Sequence, residues 1–331
     1  MAEILATNLL SPVVLAFALG ALATLIKSDL KFPEPLYQAL SIYLLLAIGL
    51  KGGAALAVTP MSQVWAPAAM TILLGILTPI IAFVILLTLG KMDRVNAGAL
   101  AAHYGSVSAV TFLAAIAFAE ATGQPAEGFM PALVALLEVP AIGVGLMLAR
   151  MGAKGEEASP SLADDNGPPR WALALHEVLT GRSIVLLVGG LAMGWISGPE
   201  RMADVEPFFT AIFPGVLSLF LLEMGLVAAR RLRDLKETGV VLVLFGTLVP
   251  ILHGTLGVWG GLLAGLSVGG AAVFGTMVAS ASYIAAPAAV RVALPEAKPS
   301  LYLTGALGIT FPFNLVVGIP IFFAMARFFG G

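Results

Sequence analysis

Apolar residues in this chain come in long blocks, neither alternating with polar ones nor confined to single amphipathic stripes. The blocks near 9–27, 35–57, 64–90, 96–120, 129–150, 182–198, 208–230, 239–264, 268–293 and 300–327 carry almost no charge. A helix needs about 20 mostly apolar residues to cross the hydrocarbon of a bilayer, so the pattern predicts ten transmembrane helices. The stretch between the fifth and sixth blocks is different. Residues 155–169 are rich in Glu, Asp, Ser, Gly and Pro and have little to bury, which predicts a flexible connection within 151–181. After it, residues 170–180 read as a short interfacial helix anchored by Trp171.

Composition sharpens this picture. The hydrophobic fraction is 59% and the charged fraction 11%, against about 25% charged in soluble domains. A net charge of −2 gives no basic surface for nucleic acid, and the absence of cysteine removes disulfides, thiolate metal sites and Cys nucleophiles. His103, His176 and His253 are too scattered for a haem or zinc site, and the two inside spans read as packing residues. No Lys or Arg precedes Lys27, so the first block reads as a retained helix and not as a cleaved signal.

Charge also orients the chain. Ten spans place alternate loops on opposite sides, and basic residues mark the cytoplasmic side. One side collects fourteen of the 17 Lys and Arg, the other only Lys51, Arg201 and Arg327. Both termini are therefore expected outside the cytoplasm of the inner (plasma) membrane, with 151–181 inside. An extra or missing span would scramble the asymmetry.

The two sides of the linker resemble each other in order. Gly49-Leu50 matches Gly225-Leu226, Ser106-Val-Ser108 matches Ser280-Ala-Ser282, and Glu138-Val-Pro140 matches Thr310-Phe-Pro312. Five helices per half is an odd number, so the second half inserts upside down. The expected organisation is a first five-helix repeat over 1–150, a cytoplasmic linker over 151–181 and an inverted repeat over 182–331. Inverted repeats are a recurring transporter architecture with the site at the repeat interface.

The fourth and ninth helices carry small, hydroxyl-rich patches within apolar spans, His103-Tyr-Gly-Ser-Val-Ser-Ala-Val-Thr111 and Ala279-Ser-Ala-Ser-Tyr-Ile-Ala-Ala-Pro287. Ser is a good N-cap, and Pro287 cannot donate to the carbonyl of Tyr283. Both helices are expected to break there and to cross near the membrane midplane. Two half-helix N-termini would then hold a small anion without Lys or Arg. Close packing of small residues is the competing reading. Glu138 precedes Val-Pro140 inside a span, and its repeat counterpart is Thr310, followed by Asn314. Carboxylate, hydroxyl and amide oxygens suit a hard cation such as sodium. Glu223, about two turns before Arg230-Arg231, joins these cation candidates, although an ion-pair role fits it equally. Lys51 reads as a structural charge that offsets a carboxylate.

Residues 279–320 closely resemble the sodium-dependent bicarbonate transporters of the cyanobacterial type, as do Leu221–Arg230 and Glu138-Val-Pro-Ala141, where the family usually carries Asp at Glu223 and Asp-Ile-Pro-Ala at the second segment. The resemblance runs from about residue 11 to the end and is weakest in the linker. It implies a ten-helix fold in which helices 1, 2, 6 and 7 form a gate or scaffold and the others a moving core. It also implies sodium-coupled anion uptake without a covalent cofactor, a homotrimer, and a PII-like regulatory partner on the cytoplasmic face. Carried over by position, the anion site falls on Gly105, Val107, Ser108, Thr111, Ala279, Ser280, Ala281 and Ser282. Residues 105–111 depart from the family's Gly-Ala-Val-Ser-Gly-Ser-Thr by gaining the Ser106 hydroxyl and lacking one at Val110. Ser106 therefore joins the substrate candidates, and the anion is bicarbonate or a similar small one. A proton-coupled or organic-acid carrier, an intramembrane enzyme and a non-transporting sensor are the alternatives, and no convincing catalytic set supports the enzyme. Reporter fusions are expected to place residue 331 outside and residue 160 in the cytoplasm; a cytoplasmic C-terminus would refute the assigned topology.

Overall fold

The computed structural model describes residues 2–151, 170–231 and 235–331. Among the described residues every regular element is a helix. The first part comprises α1 (Ala2–Leu9), α2 (Pro12–Leu25), α3 (Glu34–Val58), α4 (Met61–Thr88), α5 (Arg94–Gly105), α6 (Ala109–Ala121) and α7 (Met130–Arg150). The second comprises α8 (Arg170–Leu179), α9 (Arg182–Met202), α10 (Glu206–Thr210), α11 (Phe213–Arg231), α12 (Leu235–Leu263), α13 (Val268–Ala279) and α14 (Ala285–Ala293). It ends with α15 (Pro299–Leu303), α16 (Phe311–Phe313) and α17 (Ile319–Gly330), joined by π-helical turns at Thr304–Thr310 and Asn314–Gly318.

Eight helical stretches are long and apolar enough to cross a membrane, which marks a multi-pass membrane protein. Two of the ten sequence blocks are shorter in the structure. The first is cut at Ser11, whose hydroxyl accepts from the Val14 amide at 3.3 Å while Pro12 opens α2; proline is at home in that position because its missing N–H has no intrahelical partner. The ninth is split into α13 and α14. The short helix expected at 170–180 is present as α8, with Trp171 exposed. Most of the expected linker, residues 152–169, lies outside the described residues. All four tryptophans are more than half exposed, as suits rings that settle at the membrane–water interface.

Two helix pairs approach at backbone distance. A Cβ on Gly53 would fall on the Leu191 carbonyl oxygen and one on Gly194 on that of Leu50, so α3 lies directly on α9. In the same way Gly20 meets Leu222 and Gly225 meets Phe17, which brings α11 onto α2. Lipid offers no hydrophobic drive between helices, so this close van der Waals contact is a main source of their adhesion.

The π-helical turns have a local cause. Pro312 and Pro320 remove two amides from the last long helix. An amide at 320 would have bonded the carbonyl of Val316 in α-helical register or of Leu315 in π register. Asn8 from α1 supplies the missing donor: its Nδ2 reaches the Leu315 oxygen at 2.8 Å and the Val316 oxygen at 3.3 Å. Asn8 is 2% exposed. Asn8→Ala is expected to cost about 1–3 kcal/mol by leaving a buried carbonyl unpaired. A melting temperature equal to wild type in detergent would show that this donor is dispensable.

Candidate functional site: two interrupted helices around one cavity

The interruptions follow from local backbone choices. Helix α5 stops at Gly105 because Ser106 turns extended (φ −87°, ψ 175°), and α6 restarts behind Ser108, whose hydroxyl caps the Thr111 amide at 3.2 Å. Helix α13 stops at Ala279, with Ser280 extended (φ −81°, ψ 166°). Helix α14 restarts at Ala285, and the Ser282 hydroxyl accepts from the Ala286 amide at 3.2 Å.

Non-helical backbone inside a membrane protein has to be satisfied by protein. Here the two gaps satisfy each other. The Ser108 amide donates to Ser280 Oγ at 2.8 Å, and the Ser282 amide donates to the His103 carbonyl at 2.8 Å. Ser280 Oγ in turn donates to the Met277 carbonyl at 2.7 Å. One hydroxyl thus serves both broken helices.

The restarted ends open on one cavity. Val107, Ser108 and Ala109 line it from the start of α6, and Ser282, Tyr283 and Ile284 from the start of α14. Glu138 of α7 completes the polar part with Ser183 of α9, while Leu45, Val134 and Leu187 supply apolar wall. The space is about 10 Å³, enough for roughly one water and too small for a polyatomic anion, so the walls are closed on each other. Chemically the lining is of two kinds. Each helix start carries about half a positive charge, which favours an anion. The Glu138 carboxylate is buried, with no cationic side chain within 4 Å among the described residues; an isolated buried carboxylate requires a cation or a proton.

The remaining candidates do not line this cavity. Gly105 packs so tightly on Pro79 that a Cβ would overlap its ring. Ser106, Ala279, Ser280 and Ala281 are buried in the crossing itself, and the Ser106 hydroxyl has no hydrogen-bond partner. Thr111 gives its amide to Ser108, and its own hydroxyl is buried and unpartnered. Asn314 donates from Nδ2 to the Ala279 carbonyl at 2.9 Å, closing the end of α13, and its Oδ1 is left unmatched. Thr310 is committed elsewhere, to Tyr104 at 2.7 Å and to the Gly246 carbonyl at 2.7 Å. Glu223 on α11 is buried but is not part of the cavity lining.

Sequence reasoning missed Tyr283, Ser183, Leu45 and Leu187. Tyr283 had a signal, as the one aromatic directly following the serines of the ninth helix, and its ring packs edge-on against Phe311 with centroids 5.5 Å apart. The others sit on α3 and α9, where nothing in the local sequence marks them. Lys51 offsets no carboxylate within 4 Å among the described residues; its Nζ lies 5.7 Å from the centroid of the Phe213 ring.

The family model of the Na+-dependent bicarbonate transporter superfamily matches residues 12–327. The chain belongs to that superfamily. A comparison with curated proteins gives no match. The match spans both interrupted helices and Glu138, so the cavity of this superfamily member lies wholly within the matched region.

Ser280→Ala is expected to lower the melting temperature more than Ser106→Ala, because it removes the acceptor of the Ser108 amide and one donor to Met277 while Ser106 Oγ bonds nothing. Equal melting temperatures would show that the hydroxyl at 280 does not hold the crossing together.

Proposed function

We propose that this protein is a secondary active carrier, a sodium-coupled symporter that takes up bicarbonate or a similar small anion by alternating access. The observation that carries the proposal is the meeting of two half-helix N-termini and one buried carboxylate in a single cavity. The anion is held by the starts of α6 and α14. Ser108 and Ser282 each accept an amide of their own half-helix, which leaves their O–H groups to donate to the anion. Sodium is held at Glu138, with Asn314 Oδ1 and the Thr111 hydroxyl as buried oxygens without a hydrogen-bond partner. Thr310 and Glu223 take supporting places, Thr310 by fixing Tyr104 and Glu223 on the gate helix α11.

Coupling follows from this charge arrangement. An anion entering the cavity alone would face the Glu138 carboxylate in a poorly screened environment, where repulsion is strong. A sodium ion at Glu138 cancels that repulsion, so each ion raises the affinity of the other, as linkage requires. The lining, two helix starts beside one carboxylate, supports ion binding.

The ten-helix inverted repeat is supported by paired features. Arg94–Gly105 and Val268–Ala279 start 174 positions apart and have the same length, with Asp93 and Ser267 as caps at the same separation. The glycine-packed pairs exchange in the way an inverted repeat requires, the second helix of each half lying on the first helix of the other. The cavity lies between α3 and α9 of the gate and α6, α7 and α14 of the core. A shift of core against gate would therefore expose it to one side and then the other. The family resemblance extends the proposal to a homotrimer in the plasma membrane, with both termini extracytoplasmic and a PII-like regulator on the cytoplasmic face.

Labelled-bicarbonate uptake into proteoliposomes, with and without a sodium gradient, tests the proposal. Ser108→Ala and Ser282→Ala are each expected to weaken anion binding by roughly 1.5–3 kcal/mol, about tenfold or more. Glu138→Gln is expected to raise the sodium concentration needed for half-maximal uptake. Uptake that persists without sodium and follows a proton gradient would assign Glu138 to a proton instead. Wild-type affinity in both serine variants would turn the crossing into a packing motif.

A further inference from the structure

A second cavity, of about 180 Å³, stands on the first. The same three helices line both, one turn apart on each. On α3, Leu45 faces the inner cavity and Ile48 and Lys51 the outer one; on α6, Ser108 is followed by Phe112; on α7, Val134 is preceded by Pro131. Residues three and four apart share one helix face, so the two spaces are stacked along the helices, roughly 5 Å per turn. In the topology proposed above, the second space lies on the outer side.

The outer chamber has one cation, Lys51, and two carboxylates, Glu120 and Glu127. Glu127 keeps its charge in the chamber: its Oε1 accepts the Ser267 amide at 2.6 Å, at the start of α13, and its Oε2 is buried without a hydrogen-bond partner. Glu120 is exposed and lies eight residues beyond Phe112 on α6, at the rim. Lys51 is held by the Phe213 ring at 5.7 Å and is not neutralised by any carboxylate within 4 Å among the described residues. A ring positions an ammonium group without cancelling its charge. The chamber therefore presents one ammonium that is not ion-paired, about two turns along α3 from the wall of the inner cavity, with both carboxylates more than 4 Å from it.

We propose that Lys51 is the recruiting residue for the transported anion, holding a small oxyanion in the outer chamber before it passes inward to the helix starts. The inference rests on the carrier reading and adds to it a step that acts on capture and not on coupling. A fixed cation in a mouth with apolar walls raises the local anion concentration, and the effect falls with ionic strength. Glu120 at the rim and Glu127 oppose it.

The test is bicarbonate uptake into proteoliposomes at saturating sodium, varying ionic strength with an impermeant salt. Lys51→Met is expected to raise KM about fivefold or more, to leave the maximal rate and the sodium half-saturation near wild type, and to flatten the salt dependence. Lys51→Arg restores the wild-type KM, and Glu120→Gln lowers it. An unchanged KM in Lys51→Met, where wild-type uptake needs sodium, overturns this inference alone. So does a wild-type KM that ignores ionic strength, which needs no variant to fold. Wild-type liposomes that take up no bicarbonate overturn the carrier reading and this step with it.

Discussion

A helix that breaks inside a membrane protein exposes amides and carbonyls that lipid cannot satisfy, and in this protein two such breaks are placed against each other. The Ser108 amide on Ser280 Oγ and the Ser282 amide on the His103 carbonyl lock the gaps together. Everything at the candidate site depends on that exchange. It holds the starts of α6 and α14 on one cavity, with Ser108 and Ser282 both in its lining.

Around the crossing, the remaining irregularities of the backbone are closed by single side chains from distant segments. Asn8 serves the carbonyls that Pro320 leaves open, Asn314 closes the end of α13, and Thr310 ties Tyr104 to the Gly246 carbonyl. These bonds link α1, α5, α12 and the last helix into one polar scaffold within an apolar bundle. The α3–α9 and α2–α11 pairs are built differently, by glycine and direct backbone contact. The cavity sits where these two kinds of packing meet, which is where relative movement would change access to it.

The lining also separates the tasks of charge. Fixed partial charges at the helix starts face the inner cavity beside the Glu138 carboxylate, whereas the Lys51 ammonium lies one turn or more along α3 from it. A side-chain cation in the inner cavity would pair with Glu138; among the described residues none lies within 4 Å of it.

Much of this was legible in the residues. Spans follow from transfer free energy, which local composition determines, and the breaks fall at Ser106–Ser108 and Ser280–Ser282 because small, capping residues and Pro287 locally disfavour a continuous helix. Glu138 stood out because a carboxylate in an apolar block is costly wherever the chain folds. The partners were not legible, because a hydrogen bond between residues 172 positions apart has no local signature. Only the tertiary structure decided that Ser280 spends its hydroxyl on the crossing, that Thr310 turns away to Tyr104, and that Lys51 rests on Phe213 instead of a carboxylate. It also brought Tyr283, Ser183 and Leu187 to the cavity wall. Sequence determines what each segment can tolerate, whereas packing between segments decides which of its polar groups are already used and which are left to bind.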